Sequence, residues 1–245
     1  MIPPVAEFFP SSMLEWGDRL SATVILQGCN FRCPFCHSAN TVPVVPHPEG
    51  EVPWEAVEAE LAERGGWLDG VVVTGGEPTI HAGLGELIER LRGLGLPVKL
   101  DTNGSSPETV KGFAEQGLIE HVALDVKALL VPDDYARATG REGALDKVRG
   151  TLDFLRCFES ETFTYELRTT VVPGFLDDER GSDEHLLALA RELSWAAEWY
   201  LQAFRPLGCL DPEYENLPAT DPNWLEAVTG KCREIAPGCR VRGGD

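Results

Sequence analysis

The chain has 245 residues, of which 43% are apolar, and its 40 acidic against 21 basic side chains give a formal net charge of −19. The apolar fraction is large enough for a packed core, so we exclude intrinsic disorder. The negative charge repels a phosphate backbone, so we exclude nucleic acid as a direct partner.

Apolar, β-rich runs alternate with helical patterns along the chain. The predicted strands are 22–28, 69–78, 97–104, 121–127, 163–174 and 198–207. The predicted helices are 54–64, 84–91, 107–116, 145–155, 186–193 and 222–235, and a loop is expected at 128–143. Six consecutive strand–helix units favour an α/β fold with a parallel sheet, either as a partial barrel or as a doubly wound sheet.

Three of the seven cysteines lie close together in the segment GCNFRCPFCHS, residues 28–38, at the spacing C-x3-C-x2-C. A structural zinc site closes four ligands around the metal, so three thiolates alone indicate an inorganic centre with one open position. An odd number of cysteines does not suit a disulfide framework. A zinc site completed by His37 or by a distant ligand is the alternative.

Polar residues and glycines follow the ends of the predicted strands, where parallel α/β folds bind their ligands. They are Gly75, Gly76, Glu77, Asp101, Asn103, Asp125, Lys127, Arg168 and Thr170. Buried charges must pair or await a ligand, because an unpaired one costs about 3–5 kcal/mol. A zwitterionic ligand with an amine, a carboxylate and a ribose would satisfy this set. An Asx turn at Asp101 and Asn103 and an ion pair between Asp125 and Lys127 are the structural alternatives.

These motifs resemble those of the radical S-adenosylmethionine enzymes, and among them the activases of glycyl radical enzymes. The anaerobic ribonucleoside-triphosphate reductase activating proteins are the most similar group. The resemblance covers roughly residues 12–205, through GCNFRCPFCHS, VVVTGGEPT, LDTNG, ALDVKA, YARATG and RTTVVPGF. It implies one domain over residues 1–245, with a partial (β/α)6 TIM-like barrel at about 20–205 and a C-terminal helical extension at about 206–245.

The resemblance also implies a set of ligands. A [4Fe-4S] cluster would be held by Cys29, Cys33 and Cys36, and its fourth iron would bind the amino and carboxyl groups of S-adenosylmethionine. The implied cofactor-binding residues are Phe35, His37, Gly75, Gly76, Glu77, Asp101, Thr102, Asn103, Asp125, Lys127, Arg168 and Arg205. Within this set, the glycine motif would meet the methionine amine, and the backbone near Phe35 and His37 would follow the adenine. Asp101, Thr102 and Asp125 match positions that hold a monovalent cation.

The implied reaction is a radical transfer to a partner protein. One electron enters the cluster, the sulfonium C–S bond breaks, and the 5′-deoxyadenosyl radical takes a hydrogen atom from a glycine of the partner. The expected partners are a glycyl radical enzyme, specifically anaerobic ribonucleotide reductase, and a flavodoxin- or ferredoxin-type electron donor. No residue is expected to act as a catalytic acid or base. We expect a cytoplasmic protein with no membrane contact, because no apolar run approaches roughly 18 residues.

Two other functions are compatible with the sequence. One is a radical S-adenosylmethionine enzyme acting on a small molecule, as the 7-carboxy-7-deazaguanine synthases do. The other is a non-catalytic iron–sulfur or zinc module. Outside the cysteine-rich segment, Cys157 and Cys232 are expected to be core thiols, while a second metal on Cys209, Cys232 and Cys239 is an alternative. The remaining histidines are expected at surface or capping positions, namely His47, His81, His121 and His185.

Overall fold

The computed structural model describes residues 1–45, 50–173, 175–176 and 183–242. Strands and helices alternate along these residues. The strands are β1 Val5–Ser12, β2 Ser21–Leu26, β3 Gly70–Gly75, β4 Val98–Thr102, β5 His121–Asp125, β6 Thr164–Val171, β7 Trp199–Ala203 and β8 Cys239–Arg242. The helices are α1 Trp54–Arg64, α2 Leu84–Gly93, α3 Pro107–Glu115, α4 Pro132–Thr139, α5 Ala144–Cys157, α6 Glu184–Glu192 and α7 Pro222–Ile235. Short 3-10 helices cover Ala39–Thr41, Pro78–Ile80 and Pro212–Asn216.

The six predicted strands correspond to β2–β7, and the six predicted helices to α1–α3 and α5–α7. Helix α1 begins and ends at the predicted residues. Its buried positions, Trp54, Val57 and Leu61, have the spacing of one helix face. The alternation of apolar strands with amphipathic helices therefore predicted these elements correctly.

Among the described strands and α-helices, three were not predicted. The prediction of a loop over the whole of 128–143 was wrong, because this segment contains α4. The helix begins at Pro132 and ends at Thr139, and the next residue, Gly140, has the left-handed conformation. Strand β1 includes Pro10, which an edge strand tolerates because one of its sides makes no ladder hydrogen bonds. Strand β8 has only four residues and lies in the segment that was expected to be helical.

The described chain divides into two compact units, which we call the first unit and the second unit. The first unit consists of Met1–Asn30, Asn40–Ala123 and Phe158–Thr164. In it, β1 pairs antiparallel with β2, while β2 with β3 and β3 with β4 pair parallel. Its core is apolar, and each fully buried Leu, Ile or Val contributes about 1.5–3 kcal/mol. The central members of this core are Val24, Leu26, Leu61, Val72, Leu87, Ile88, Leu91 and Leu100.

The second unit consists of Phe31–Ala39, Leu124–Cys157 and Tyr165–Asp245. In it, β6 pairs parallel with β7, and β7 with β8. Trp199 is fully buried, and its indole N–H donates to the hydroxyl of Thr169 at 3.0 Å, so this large side chain leaves no polar atom unsatisfied. Among the described residues, no helix is both long enough and apolar enough to cross a lipid bilayer.

Candidate functional site

The cysteine-rich segment begins directly after β2, and hydrogen bonds hold its backbone in place. Gly28 has a backbone φ of 101°, which residues other than glycine rarely adopt. Its N–H donates to the carbonyl oxygen of Thr41 at 2.7 Å, and the N–H of Cys29 donates to that of Val42 at 3.1 Å. These hydrogen bonds therefore fix the backbone at Cys29, the first predicted cluster ligand.

Gly75 and Gly76 pack their backbone against the end of β2. A Cβ on Gly75 would lie 2.2 Å from the carbonyl oxygen of Leu26, and a Cβ on Gly76 would lie 2.1 Å from that of Gly28. The N–H groups of Gly76 and Glu77 donate to these same two carbonyls, at 3.0 and 2.8 Å. Close backbone packing therefore requires both glycines. The approach of a ligand to these glycines, which the sequence pattern indicated, stays a prediction.

The carboxylate of Glu77 is fully buried and accepts hydrogen bonds from two neighbouring segments. The N–H and the hydroxyl of Thr79 donate to it at 3.1 and 2.5 Å. The hydroxyl of Thr102 donates at 2.7 Å, and the N–H of Asn103 donates at 2.6 Å. Burial raises the pKa of this carboxyl above its usual value, and the hydrogen bonds oppose that rise. The Glu77 side chain thus connects the ends of β3 and β4.

Thr102 and Asn103 shape the turn after β4. The Asn103 side-chain oxygen accepts from the N–H of Ser105 at 2.9 Å, which confirms an Asx turn at Asn103. The Thr102 hydroxyl accepts from the N–H of Gly104 at 3.1 Å. The side-chain amide of Asn103 donates to the side-chain oxygen of Asn30 at 2.9 Å, and the Asn30 amide donates to the Ser105 hydroxyl at 2.8 Å. Because Asn30 belongs to the cysteine-rich segment, this turn is tied to that segment.

Asp101 lies beside a lysine that was absent from the predicted site. The Nζ atom of Lys99 lies 3.7 Å from Oδ1 of Asp101 and donates to the carbonyl oxygen of Glu15. Lys99 is fully buried, and Asp101 is buried too. Residues two apart on a strand share a face, so a lysine inside the apolar β4 run was the available signal. The structure shows Asp101 in an ion pair with this lysine.

In the second unit, Cys33 and Cys36 stand at the two ends of a turn. The N–H of Cys36 donates to the carbonyl oxygen of Cys33 at 3.1 Å. The segment after β7 holds this turn through two backbone hydrogen bonds. The N–H of Leu210 donates to the carbonyl oxygen of Cys36 at 3.1 Å, and the N–H of Asp211 donates to the carbonyl oxygen of Pro34 at 2.9 Å. Neither cysteine forms a disulfide. Hydrogen bonds therefore hold the backbone that carries these two cysteines.

The side chains of Phe35 and His37 take part in packing. The ring of Phe35 is buried, with its centroid 5.7 Å from that of Phe175. The Nδ1 atom of His37 lies 2.9 Å from the carbonyl oxygen of Leu207, within hydrogen-bonding distance. Arg205 follows β7 and is exposed. The expectation that these three residues lie near an adenine stays a prediction.

Asp125, Lys127 and Arg168 form one ionic cluster. The Oδ2 atom of Asp125 accepts from Nζ of Lys127 at 3.1 Å, and Oδ1 accepts from Nε of Arg168 at 2.9 Å. Burial opposes the charged form of Asp125, but the guanidinium and the ammonium outweigh it and lower its pKa to about 2. The predicted ion pair of Asp125 with Lys127 is confirmed, and Arg168 supplies a second cation to it.

Lys127 also lies in the field of the cysteine turn. Burial disfavours its ammonium form, but Coulombic attraction to Asp125 and to the thiolates of Cys33 and Cys36 outweighs burial and raises the Lys127 pKa. The second unit therefore brings two of the predicted cluster ligands close to a cation that stays charged at physiological pH. Such an arrangement suits an anionic centre or an anionic ligand.

The other cysteines and histidines have mostly structural positions. Cys232 is buried, as predicted, whereas the prediction of a core position for Cys157 is wrong, because this last residue of α5 is exposed. His121 is also buried, contrary to expectation, and its Nδ1 atom lies 2.7 Å from the hydroxyl of Thr164. His47 lies outside the described residues. Within the described ranges, no three His, Cys, Asp or Glu side chains come together as ligands of a single metal ion.

Known proteins share much of this sequence. The family model described as the Radical SAM superfamily matches residues 23–187 of this chain. A Methanocaldococcus jannaschii protein, named provisionally as a glycyl-radical enzyme activating enzyme, is 31% identical over 223 residues, which are 89% of this chain and 86% of that protein. The pyruvate formate-lyase-activating enzyme of Staphylococcus aureus is 28% identical over 172 residues, 66% of each chain.

Proteins with other printed functions are similar as well. The 7-carboxy-7-deazaguanine synthase of Hyperthermus butylicus is 39% identical over 149 residues, 56% of this chain and 61% of that one. Among solved structures, Streptococcus suis SuiB bound to S-adenosylmethionine aligns with a TM-score of 0.59 at 15% identity, covering 89% of this chain and 48% of SuiB. This likeness shows a shared fold, so the α/β class predicted from the sequence is confirmed.

Proposed function

Because the chain belongs to the radical S-adenosylmethionine superfamily and has that superfamily's partial-barrel fold, we propose that it is an activating enzyme that installs a glycyl radical on a partner enzyme. The observation that carries this proposal is the similarity to a provisionally named glycyl-radical enzyme activating enzyme over nearly the whole of both chains. The similarity to a pyruvate formate-lyase-activating enzyme supports the same reaction class.

The cofactors of the family are a [4Fe-4S] cluster and S-adenosylmethionine, and the donor set of this chain fits them. Cys29, Cys33 and Cys36 form no disulfides, and no fourth cysteine stands in their motif. The cation of Lys127 lies in the field of two of these thiolates, which suits the net negative charge of a thiolate-bound cluster. When bound, the cluster supplies the electron that cleaves the sulfonium and releases the 5′-deoxyadenosyl radical.

In this proposal, the protein residues bind and orient the ligand. Gly75, Gly76 and Glu77 contact the methionine amine through their backbone, since the Glu77 side chain is already used by the β4 turn. The ionic cluster of Asp125, Lys127 and Arg168 binds the ribose and the carboxylate. Its charges are paired before the ligand arrives, so little reorganisation is needed on binding.

The partner in this proposal is anaerobic ribonucleoside-triphosphate reductase, and the electron donor is a flavodoxin or a ferredoxin. The support for this partner is the resemblance of LDTNG, YARATG and the cysteine-rich segment to the corresponding activating proteins. A monovalent cation at Asp101, Thr102 and Asp125 also stays a prediction. It would be tested by comparing the S-adenosylmethionine affinity in buffers that contain potassium or only a large organic cation.

Electron paramagnetic resonance tests the proposed function. Anaerobically reconstituted protein is mixed with S-adenosylmethionine, a reductant and a candidate anaerobic ribonucleotide reductase. We expect the doublet of a glycyl radical on the partner, and we expect none when the Cys33→Ser chain replaces the wild type. Cleavage of S-adenosylmethionine without a doublet on any candidate glycyl radical enzyme would contradict the activase assignment while leaving the cofactor chemistry intact.

A small-molecule substrate is the second candidate function. The identity to a 7-carboxy-7-deazaguanine synthase, 39% over 149 residues, favours it. Its test needs no partner protein, because the reconstituted chain alone would convert a carboxylated pterin into a deazapurine. Formation of that product would establish the second candidate in place of the activase.

A further inference from the structure

We infer that Arg242, on the last strand, is a positioning residue for Arg168. This inference rests on the proposed role of Arg168 in binding S-adenosylmethionine. Nothing in the motifs of the chain indicated Arg242, because it lies on β8, which was not predicted. The observation behind the inference is a chain of ionic contacts across β6–β8 of the second unit.

The register of the strands brings these side chains to one face. In the parallel pairs, Arg168 lies beside Tyr200, and Gln202 lies beside Arg242. Side chains alternate along a strand, so Glu166 shares the face of Arg168, and Arg242 shares the face of Tyr200. The guanidinium of Arg242 also lies over the Tyr200 ring, 5.9 Å from its centroid. This face is therefore polar.

The distances give the order of the contacts. The Nη1 atom of Arg242 donates to Oε1 of Glu166 at 2.7 Å. The same Oε1 atom lies 3.9 Å from Nη1 of Arg168, whose Nε atom donates to Asp125 at 2.9 Å. The exposed fractions are 22% for the Arg242 side chain and 11% for those of Glu166 and Arg168. Glu166 thus has its shorter contact with Arg242, while Arg168 has its shorter contact with Asp125.

This order of contacts keeps Arg168 directed towards Asp125. If the guanidinium of Arg242 is removed, the buried carboxylate of Glu166 loses the cation that donates to it at 2.7 Å. A buried carboxylate with poor compensation is costly, so Glu166 attracts Arg168 more strongly. Arg168 then moves towards Glu166 and away from Asp125, and the ligand-binding cluster loses its geometry. The guanidinium of Arg242 prevents this competition.

Affinity for S-adenosylmethionine, measured anaerobically on the reconstituted protein, tests the inference. We expect Arg242→Gln to weaken binding about tenfold, as the loss of a residue that supports a ligand-binding side chain commonly does. Arg242→Lys keeps the charge and should recover part of the affinity. Arg240→Gln is the matched control, because the Arg240 guanidinium donates to the backbone carbonyls of Pro237 and Cys239. It should change the affinity by less than about twofold.

A double variant separates positioning from a general loss of structure. In the Glu166→Gln background the competing carboxylate is absent, so adding Arg242→Gln should leave the affinity unchanged. A simple structural role predicts a further loss in the double variant. If Arg242→Gln alone does not retain its cluster, the comparison of Glu166→Gln with the double variant still distinguishes a positioning role of Arg242 from a structural one. Iron content and melting temperature are measured on every variant.

Two further results would overturn the inference, and they are distinguishable. If Arg168→Gln weakens binding but Arg242→Gln does not, Arg168 belongs to the ligand site and the positioning role of Arg242 is wrong. If Arg168→Gln itself binds S-adenosylmethionine like the wild type, the proposed role of Arg168 is wrong, and the inference about Arg242 fails with it. Neither result depends on the identity of the partner enzyme.

Discussion

The backbone N–H of Asn103 donates to the buried carboxylate of Glu77 at 2.6 Å, although 26 positions separate the two residues in the chain. Glu77 ends the glycine motif after β3, and Asn103 forms the turn after β4. The contact therefore joins two segments that both carry predicted ligand-binding residues. In this motif the Glu77 side chain accepts hydrogen bonds from the backbone of the site.

The first prediction concerns Glu77→Gln. An amide has one acceptor oxygen in place of two, so at least one of the donors from Thr79, Thr102 and Asn103 is left unsatisfied in the buried site. We expect a loss of roughly 1–3 kcal/mol in the free energy of unfolding, measured by urea denaturation. The exposed Glu108→Gln, in the first turn of α3, is the control and should cost less than about 0.5 kcal/mol.

The second prediction concerns how the contribution of Glu77 to the free energy of unfolding depends on pH. The folded-state pKa of Glu77 is raised above its usual value of 4.5, chiefly by burial. A raised pKa means that its contribution is fully present below pH 4.5 and declines as the pH rises through the folded-state value. The stability difference between wild type and Glu77→Gln should therefore shrink on going from acidic to neutral pH. A difference that grows over this range would show that the folded-state pKa is not raised.

The third prediction tests the backbone packing of the glycine motif. A Cβ on Gly76 would lie 2.1 Å from the carbonyl oxygen of Gly28, so Gly76→Ala must displace backbone and should cost at least about 2 kcal/mol. A Cβ on Gly230, in α7, would meet no heavy atom within 4 Å, so Gly230→Ala should stabilise by roughly 0.5–1 kcal/mol. Thermal melting of both variants without cofactor decides this, and equal melting temperatures would contradict the packing argument.

The fourth prediction concerns Asp125→Asn. The substitution leaves the cations of Lys127 and Arg168 without their shared carboxylate. We expect a loss of about 1–3 kcal/mol, less than for a fully buried pair because the Asp125 side chain is 31% exposed. The folded-state pKa is lowered to about 2, so this contribution is constant near neutral pH and is lost only as the pH falls towards 2. Denaturation at pH 7 and at pH 3 measures both effects.

Most of the fold could be predicted from local patterns. The apolar runs of β2–β7 and the periodic faces of the long helices are local properties of the sequence, and they predicted six strand–helix units. Strands β1 and β8 could not be found in this way. β1 contains a proline and β8 has four residues, so each exists because a neighbouring strand supplies its hydrogen bonds. Helix α4 was missed because it is short and buries only Tyr135, Ala138 and Thr139.

The candidate site was predictable in its residue types and less so in its contacts. The spacing of the cysteines and the position of Asp125 at a strand end were sufficient to select them. The ion pair of Lys99 with Asp101 could have been found from the lysine inside the apolar β4 run, because the two residues share a face of that strand. The contact of Arg242 with Glu166 depends on packing between distant segments. No local pattern indicates such contacts. The position of Cys157 was predicted wrongly because the last residue of a helix can face solvent even where the apolar periodicity continues.

The central claim is that three thiolates hold an iron–sulfur cluster with an open position for S-adenosylmethionine. The most direct measurement is the electron paramagnetic resonance spectrum of the reduced, reconstituted protein before and after addition of S-adenosylmethionine. We predict a [4Fe-4S]⁺ signal whose g values change on addition of the ligand, and loss of the signal in Cys29→Ser, Cys33→Ser and Cys36→Ser but not in Cys157→Ser. A wild-type cluster signal that stays the same at saturating S-adenosylmethionine would contradict the claim.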